Sequence, residues 1–196
     1  MASFGEPAWS TEQRDFAAPL TIGVVADTHV NARGRRQLPA AVPALFERLS
    51  ADLILHAGDV NTTAVLESLA VAAPVLAVVG NNDDAELRAA LLLTVEFRVG
   101  RFTFALIHGH TGPTARVEAR RRFAGRVDCV VYGHSHIPKL EIVDGTIFFN
   151  PGSPTDRRWQ AHFGVGLIRV TSDKIEPDLI LFDDPRHLDN VMASQV

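Results

Sequence analysis

The chain holds one cysteine, Cys129, among its 196 residues. A single thiol excludes an intramolecular disulfide and any zinc site built on several thiolates, and such sparse usage suits a reducing compartment. Basic charge is scarce too: 19 Lys and Arg stand against 23 Asp and Glu, a net charge of -4. That balance removes the electrostatic case for general nucleic-acid or membrane-surface binding. No apolar run reaches the roughly 18 to 20 residues of a membrane-spanning helix. The opening MASFGEPAWSTEQRDF has neither the basic start nor the apolar core of a signal peptide. The expectation is a cytoplasmic protein with no membrane partner. Internal repeats, low-complexity tracts and an interdomain linker are missing as well, so one domain over 1–196 is expected.

What is present is an ordinary globular composition, 46% hydrophobic and 21% charged. Leu20 to Ala26 (LTIGVVA), Leu53 to His56 and Pro74 to Val79 (PVLAVV) are short apolar runs, as expected of strands buried on both faces. Helices are predicted between and after them: Leu38 to Leu49 with Pro43 in its first turn, Thr62 to Leu69 opened by a threonine cap, and Asp84 to Leu91. This alternation predicts parallel strands covered by helices. Downstream, Thr94 to Val99 and Arg101 to Ile107 read as a hairpin turning at Gly100. Thr114 to Phe123 reads as a basic-faced helix and Val127 to Tyr132 as a buried strand. A second hairpin, Leu140 to Val143 with Thr146 to Phe149, turns at Asp144-Gly145, and strands at Gly164 to Val170 and Ile175 to Phe182 close the series. The pattern predicts two stacked sheets with helices outside. Residues 1–19 are expected as a loosely held arm and 183–196 as a weakly packed tail.

The chemistry collects directly after the buried strands. Asp27-Thr28-His29, Gly58-Asp59, Gly80-Asn81-Asn82-Asp83, His108-Gly109-His110 and Tyr132-Gly133-His134-Ser135-His136 each follow one of them. Ligands of α/β sheets gather at the carboxyl ends of strands, so these loops can converge. Any one alone is commonplace, since Asp-x-His or Gly-Asp is ordinarily a turn or a helix cap. The conjunction is not commonplace, because five of eight histidines fall within these loops. Carboxylate, amide and imidazole donors without thiolate suit Mn, Fe, Co or Zn. The donors exceed what one ion needs, and two ions about 3.5 to 4 Å apart with a bridging carboxylate would absorb them.

The ordered series DTH, GD, GNND, HGH and GHSH resembles the calcineurin-like metallophosphoesterase superfamily. Its likeness is greatest to the small bacterial and archaeal phosphodiesterases, which share a fold with the retromer metallophosphoesterase-like subunit. NPGSPT at Asn150 to Thr155 looks like a loop of the same subgroup, and the likeness runs from about Thr21 to Phe182. The resemblance implies an α/β fold, a two-sheet αββα sandwich. It implies a first metal on Asp27, His29, Asp59 and His136 and a second on Asp59, Asn81, His108 and His134, with Asp59 bridging. The cofactors would be two divalent metal ions, Mn first, with Zn, Fe, Co or Ni as alternatives. The implied activity is hydrolysis of a small phosphoester, a diester ahead of a monoester, by a metal-bridging hydroxide with no side-chain nucleophile. The other reading is a non-catalytic metal-binding scaffold for protein interaction. A DNA nuclease of the same superfamily is disfavoured by the short chain and the acidic balance, and homo-oligomers occur among small relatives.

Asn82, His110 and Arg158 are the expected substrate contacts. Many relatives have histidine where Asn82 stands, and an amide cannot act as a general acid near neutral pH. Activated diesters are therefore expected to be cleaved best. Arg158 has a structural alternative, pairing with an acidic residue. Asp83 is expected either to orient the Asn81 loop or to begin the following helix. His56 and Cys129 read as packing residues, Asn150 and Ser153 as loop formers. Arg33, Arg35 and Arg36 read as solvated, with phosphate contact as the alternative, and Arg120 to Arg122 as an exposed helix face. His162 and His187 read as surface residues.

Overall fold

The computed structural model describes residues 13–31, 34, 36–185 and 188. Its strands are β1 (Asp15–Phe16), β2 (Leu20–Val25), β3 (Leu53–His56), β4 (Val75–Ala77), β5 (Thr94–Val99), β6 (Phe102–Ile107), β7 (Cys129–Tyr132), β8 (Lys139–Val143), β9 (Thr146–Asn150), β10 (Phe163–Val170) and β11 (Ile175–Phe182). The helices are α1 (Ala41–Arg48), α2 (Thr63–Ala70), α3 (Ala85–Ala90) and α4 (Ala115–Phe123). A five-stranded sheet runs β11-β10-β2-β3-β4 and a six-stranded sheet runs β1-β5-β6-β7-β9-β8. Within them β2, β3 and β4 are parallel, as are β6, β7 and β9. The two sheets stack as the αββα sandwich expected.

Period-two alternation assigns each strand's side chains to opposite faces. Leu53 and Leu55 enter the layer between the sheets, against Phe104, Leu106 and Val131, whereas Ile54 turns outward to the helices. That outer layer joins Ile54 and Val75 to Phe46 of α1, Leu66 of α2 and Leu87 of α3. Gly23 permits a close approach of sheet and helix: a Cβ there would lie 2.7 Å from the Phe46 ring. The six-stranded sheet packs Ile107, Val130 and Phe148 outward onto Ala119 and Phe123 of α4. Cys129 is fully buried between the sheets, where desolvation pushes its thiol pKa up.

Helix starts follow local chemistry in two cases. Asp84 accepts from the Leu87 amide at 2.9 Å and Thr114 from the Val117 amide at 3.2 Å. Thr62 holds the cap position of α2, but its side chain makes no capping bond. The Val65 amide that it would have served donates instead to the Thr62 carbonyl, at 3.2 Å. Pro43 is the third residue of α1, where a missing amide hydrogen costs no helical bond.

The described residues of both peripheral segments make contacts with the body of the fold. Residues 1–12 lie outside the described residues, but Asp15 and Phe16 pair in parallel with Arg98 and Val99 of β5. The Phe16 ring meets Phe97 edge-on, 6.0 Å between centroids. In the tail, most of which lies outside the described residues, Leu188 is fully buried in the helix-side core. Burial of these apolar side chains repays the ordering of otherwise polar segments.

Candidate metal centre

The sequence-predicted donors converge at the carboxyl ends of β2, β3, β6 and β7 and of the segment after β4. Asp27, His29 and Asp59 come from the five-stranded sheet, with φ of 56°, 47° and 56°, and His134 and His136 from the six-stranded sheet, with φ of 66° and 57°. Left-handed backbone at five non-glycine residues is a local cost accepted where side chains must be aimed. The loops hold one another in that shape. The Asp27 amide donates to the Gly58 carbonyl and the His29 amide to the Asp59 carbonyl, both at 3.0 Å. The His134 amide donates to Asp27 Oδ1 at 3.0 Å, tying one sheet to the other. Gly80 is forced by contact, because a Cβ there would lie 2.2 Å from both the amide nitrogen and Oδ1 of Asp59.

Asp27, His29 and His136 form the first group, with donor atoms all within 4.8 Å of one another. All three are buried. The imidazoles of His29 and His136 stack at 4.9 Å, with their Nε2 atoms 3.0 Å apart. The His136 Nδ1 is held by the Asp156 carbonyl, which leaves Nε2 facing inward. Burial lowers the pKa of both rings, that of His136 to about 4. Among the described residues Asp27 Oδ2 has no hydrogen-bond partner, and burial raises the pKa of this carboxyl to about 7.

Asp59, His108 and His134 form the second group under the same distance limit. His108 is oriented from behind by Nδ1 against the Ala57 carbonyl at 2.7 Å, and its Nε2 lies 3.3 Å from Asp59 Oδ2. Asn81 Oδ1 lies 3.2 Å from the same Nε2. Burial works to raise the pKa of Asp59, but His108 and the amides of Asn82 outweigh it and hold the group well below the usual carboxylate range. For His108 burial works downward, and Asp59 and Asp27 overcome it, so its pKa rises. Burial and the His108 charge lower the pKa of His134. Asp59 Oδ2 also lies 3.5 Å from His29 Nε2, so one carboxylate oxygen faces both groups.

The two groups suit divalent cations on their own chemistry. An orphaned buried carboxylate oxygen beside two imidazole nitrogens that face each other at 3.0 Å is an arrangement with more acceptors than donors, which a cation satisfies. Carboxylate, amide and imidazole without thiolate match Mn, Fe, Co or Zn.

Around this centre the supporting residues divide unevenly. Asn82 donates its backbone amide to Asp59 Oδ1 at 2.8 Å and its side-chain amide to Oδ2 at 2.7 Å. Asp83 orients the Asn81 loop and leaves the helix cap to Asp84: it accepts from the Gly80 amide at 2.6 Å and from the Asn61 amide at 2.7 Å. His110 lies beside the second group, its ring 5.3 Å from that of His108 and its buried Nδ1 without a partner among the described residues. His56 is buried beneath both groups, with Nε2 3.2 Å from Thr28 Oγ1, and burial lowers its pKa to about 3. Arg158 has a left-handed backbone, and its positive charge acts on Asp27, His29, His134 and His136.

Arg36, Arg121 and Arg122 are exposed and Arg120 half-buried, and three of them also make ion pairs. Arg36 pairs with Asp156 at 3.0 Å, Arg120 with Glu141 at 2.8 Å and Arg122 with Glu118 at 3.4 Å. Arg33, Arg35 and His187 lie outside the described residues. His162 is exposed and pairs with Asp183 at 2.7 Å. Asn150 and Ser153 shape their loop as expected: Asn150 Nδ2 donates to the Gly133 carbonyl at 3.0 Å and Ser153 Oγ to the Asp27 carbonyl at 2.8 Å.

Three contributors were missed. Thr155 donates its hydroxyl to the Thr28 carbonyl at 2.5 Å, and the Asp156 carbonyl orients His136. Glu118, buried on a helix read as basic, accepts from the amides of Thr111 and Gly112 and so fixes the loop beyond His110. A main-chain carbonyl leaves no mark in sequence. Glu118 left one, as the lone acid among the arginines of Ala115–Phe123.

A two-sheet αββα sandwich with buried oxygen and imidazole donors at its strand ends defines a class: α/β proteins with a candidate divalent-metal centre. Residues 20–173 match the family model described as the calcineurin-like phosphoesterase superfamily domain. The chain belongs to the calcineurin-like phosphoesterase superfamily, whose members bind divalent metals. It is 34% identical over 167 residues to a probable metallophosphoesterase of Methanothermobacter thermautotrophicus, covering 82% of this chain and 92% of that protein. It is 25% identical over 145 residues to a phosphodiesterase of Methanocaldococcus jannaschii, covering 68% and 83%. In fold it matches the Zn²⁺ complex of Vps29 from Entamoeba histolytica, with a TM-score of 0.67 and 21% identity, covering 83% and 99%.

Proposed function

We propose that this protein is a dinuclear metal-dependent phosphodiesterase acting on a small phosphoester. The reading rests above all on Asp59 Oδ2, which lies 3.3 Å from His108 Nε2 and 3.5 Å from His29 Nε2 and so faces both donor groups. Asp27, His29, Asp59 and His136 would hold one ion; Asp59, Asn81, His108 and His134 the other. Two such ions supply an activated water at neutral pH and neutralise charge on the phosphoryl oxygens. At three of these donors the chain itself favours the protonation state that a metal requires. Asp59 stays ionised because His108 and Asn82 stabilise its charge, and His29 and His136 stay neutral because burial disfavours theirs. Arg158 and His110 flank the centre as substrate contacts. Asn82 steadies the bridging carboxylate and cannot release a proton to a leaving alkoxide. Diesters with good leaving groups are therefore the preferred class.

The Vps29 likeness supports the fold, and a scaffold role is the competing reading. The full donor set favours catalysis, since docking alone requires no paired buried acceptors. Both readings meet in one experiment: the purified protein, loaded in turn with Mn, Zn, Fe, Co and Ni, is offered bis(p-nitrophenyl) phosphate and p-nitrophenyl phosphate. Metal-dependent release of nitrophenolate, faster from the diester, is expected. Faster monoester cleavage would overturn the substrate class, and no turnover with any metal would favour the scaffold.

A further inference from the structure

A cavity of about 410 Å³ opens beside the second donor group, lined by Val79, Asn81, Arg88, Leu91, Leu93 and His110. That volume falls within the range of small-ligand sites. It is continuous with the centre, because Asn81 and His110 wall it and Asn81 Oδ1 lies 3.2 Å from His108 Nε2. Its walls are fixed. The Val79 amide donates to the Leu92 carbonyl at 2.9 Å, and Val78 bridges Leu92 in parallel. Extended backbone there turns Leu91 and Leu93 to the same side, the cavity side. Arg88 closes another wall and donates to the Asn81 carbonyl at 2.9 Å.

The lining is sorted by polarity. Asn81, His110 with its unpartnered buried Nδ1, and the Arg88 guanidinium lie toward the centre, while Val79, Leu91 and Leu93 supply hydrocarbon. Leu93 is 55% exposed, so apolar surface stands uncovered at the mouth of an otherwise polar site. We propose that this cavity is the subsite for one ester substituent of the substrate, and that the substituent is a short alkyl or aryl group. The ester oxygen lies at the Asn81–His110 end and the hydrocarbon runs onto the leucines. The inference rests on the diesterase reading of the centre.

Alkylphosphonates test it without turnover. Methyl-, butyl- and hexylphosphonate are titrated calorimetrically into the Zn-loaded protein. Affinity is expected to rise by about two- to fourfold per added methylene, with an increasingly negative heat-capacity change. Leu93→Ser should flatten that dependence and Leu93→Phe should shift it to shorter chains; a half-exposed residue tolerates both. Chain-length-independent affinity in the wild type, or an unchanged dependence in Leu93→Ser, would overturn the proposal. The dependence persisting in a protein that hydrolyses no phosphoester with any metal would keep the subsite and remove the diesterase reading. Diester turnover with no chain-length dependence would do the reverse.

Discussion

The two donor groups both face the Asp59 carboxylate, yet they are built on opposite electrostatic terms. In the second group every strong charge has a partner: Asp59 accepts two bonds from Asn82 and faces His108, which in turn is braced by the Ala57 carbonyl. In the first, Asp27 Oδ2 has no partner and two imidazoles of lowered pKa face each other nitrogen to nitrogen at 3.0 Å. The second group is therefore assembled by the chain itself. The first is left in an uncompensated state that a bound cation relieves. Preorganisation and dependence on a ligand lie side by side in one site.

The sharpest way to break this contrast is at Asp59, the proposed bridge. Asp59→Ala is expected to reduce turnover to background and to leave less than one ion per chain by mass-spectrometric metal analysis, against two in the wild type. Retention of both ions would sink the bridging role. A smaller effect is expected from Asp83→Asn, which weakens the clamp on the Gly80 and Asn61 amides. Outer contacts of this kind are worth roughly 10- to 100-fold in metal affinity, and the loss should fall on the second ion rather than the first. Smallest and opposite in sign is the effect of Asp27→Asn on the metal-free protein. Neutralising a buried carboxylate with an orphaned oxygen should stabilise that form by about 1 to 3 kcal/mol in denaturant unfolding while weakening the first ion. Destabilisation of the metal-free form would mean that the first group is as self-sufficient as the second.

The same contrast separates what the sequence reveals from what it conceals. The strands and the donors were legible because buried runs end in punctuated loops: LILHA ends in Gly58-Asp59 and VDCVV leads into Gly133-His134. The run Leu53 to His56, read as buried on both faces, is so: Leu53 and Leu55 face the other sheet and Ile54 the helices. β1 was not legible, since two residues carry no period and their partner, β5, lies about eighty positions downstream. The Thr62 cap failed because a backbone carbonyl won the amide that the hydroxyl was expected to take. Left-handed φ at His29 or His136 could not be foreseen either, because it is imposed by neighbouring loops and not by residue type. The supports of the centre are partly main-chain atoms, such as the Asp156 carbonyl, and those have no alphabet.

One consequence follows from the donors' division between the sheets. Asp27, His29, Asp59 and Asn81 belong to the five-stranded side; His108, His134 and His136 to the six-stranded side. A cation gripped by both halves is a rivet through the sandwich as well as a reagent. Its binding free energy would become part of what keeps the two sheets in register. Amides far from the chemistry, along β2 and β7 alike, would then exchange more slowly with solvent when it is in place.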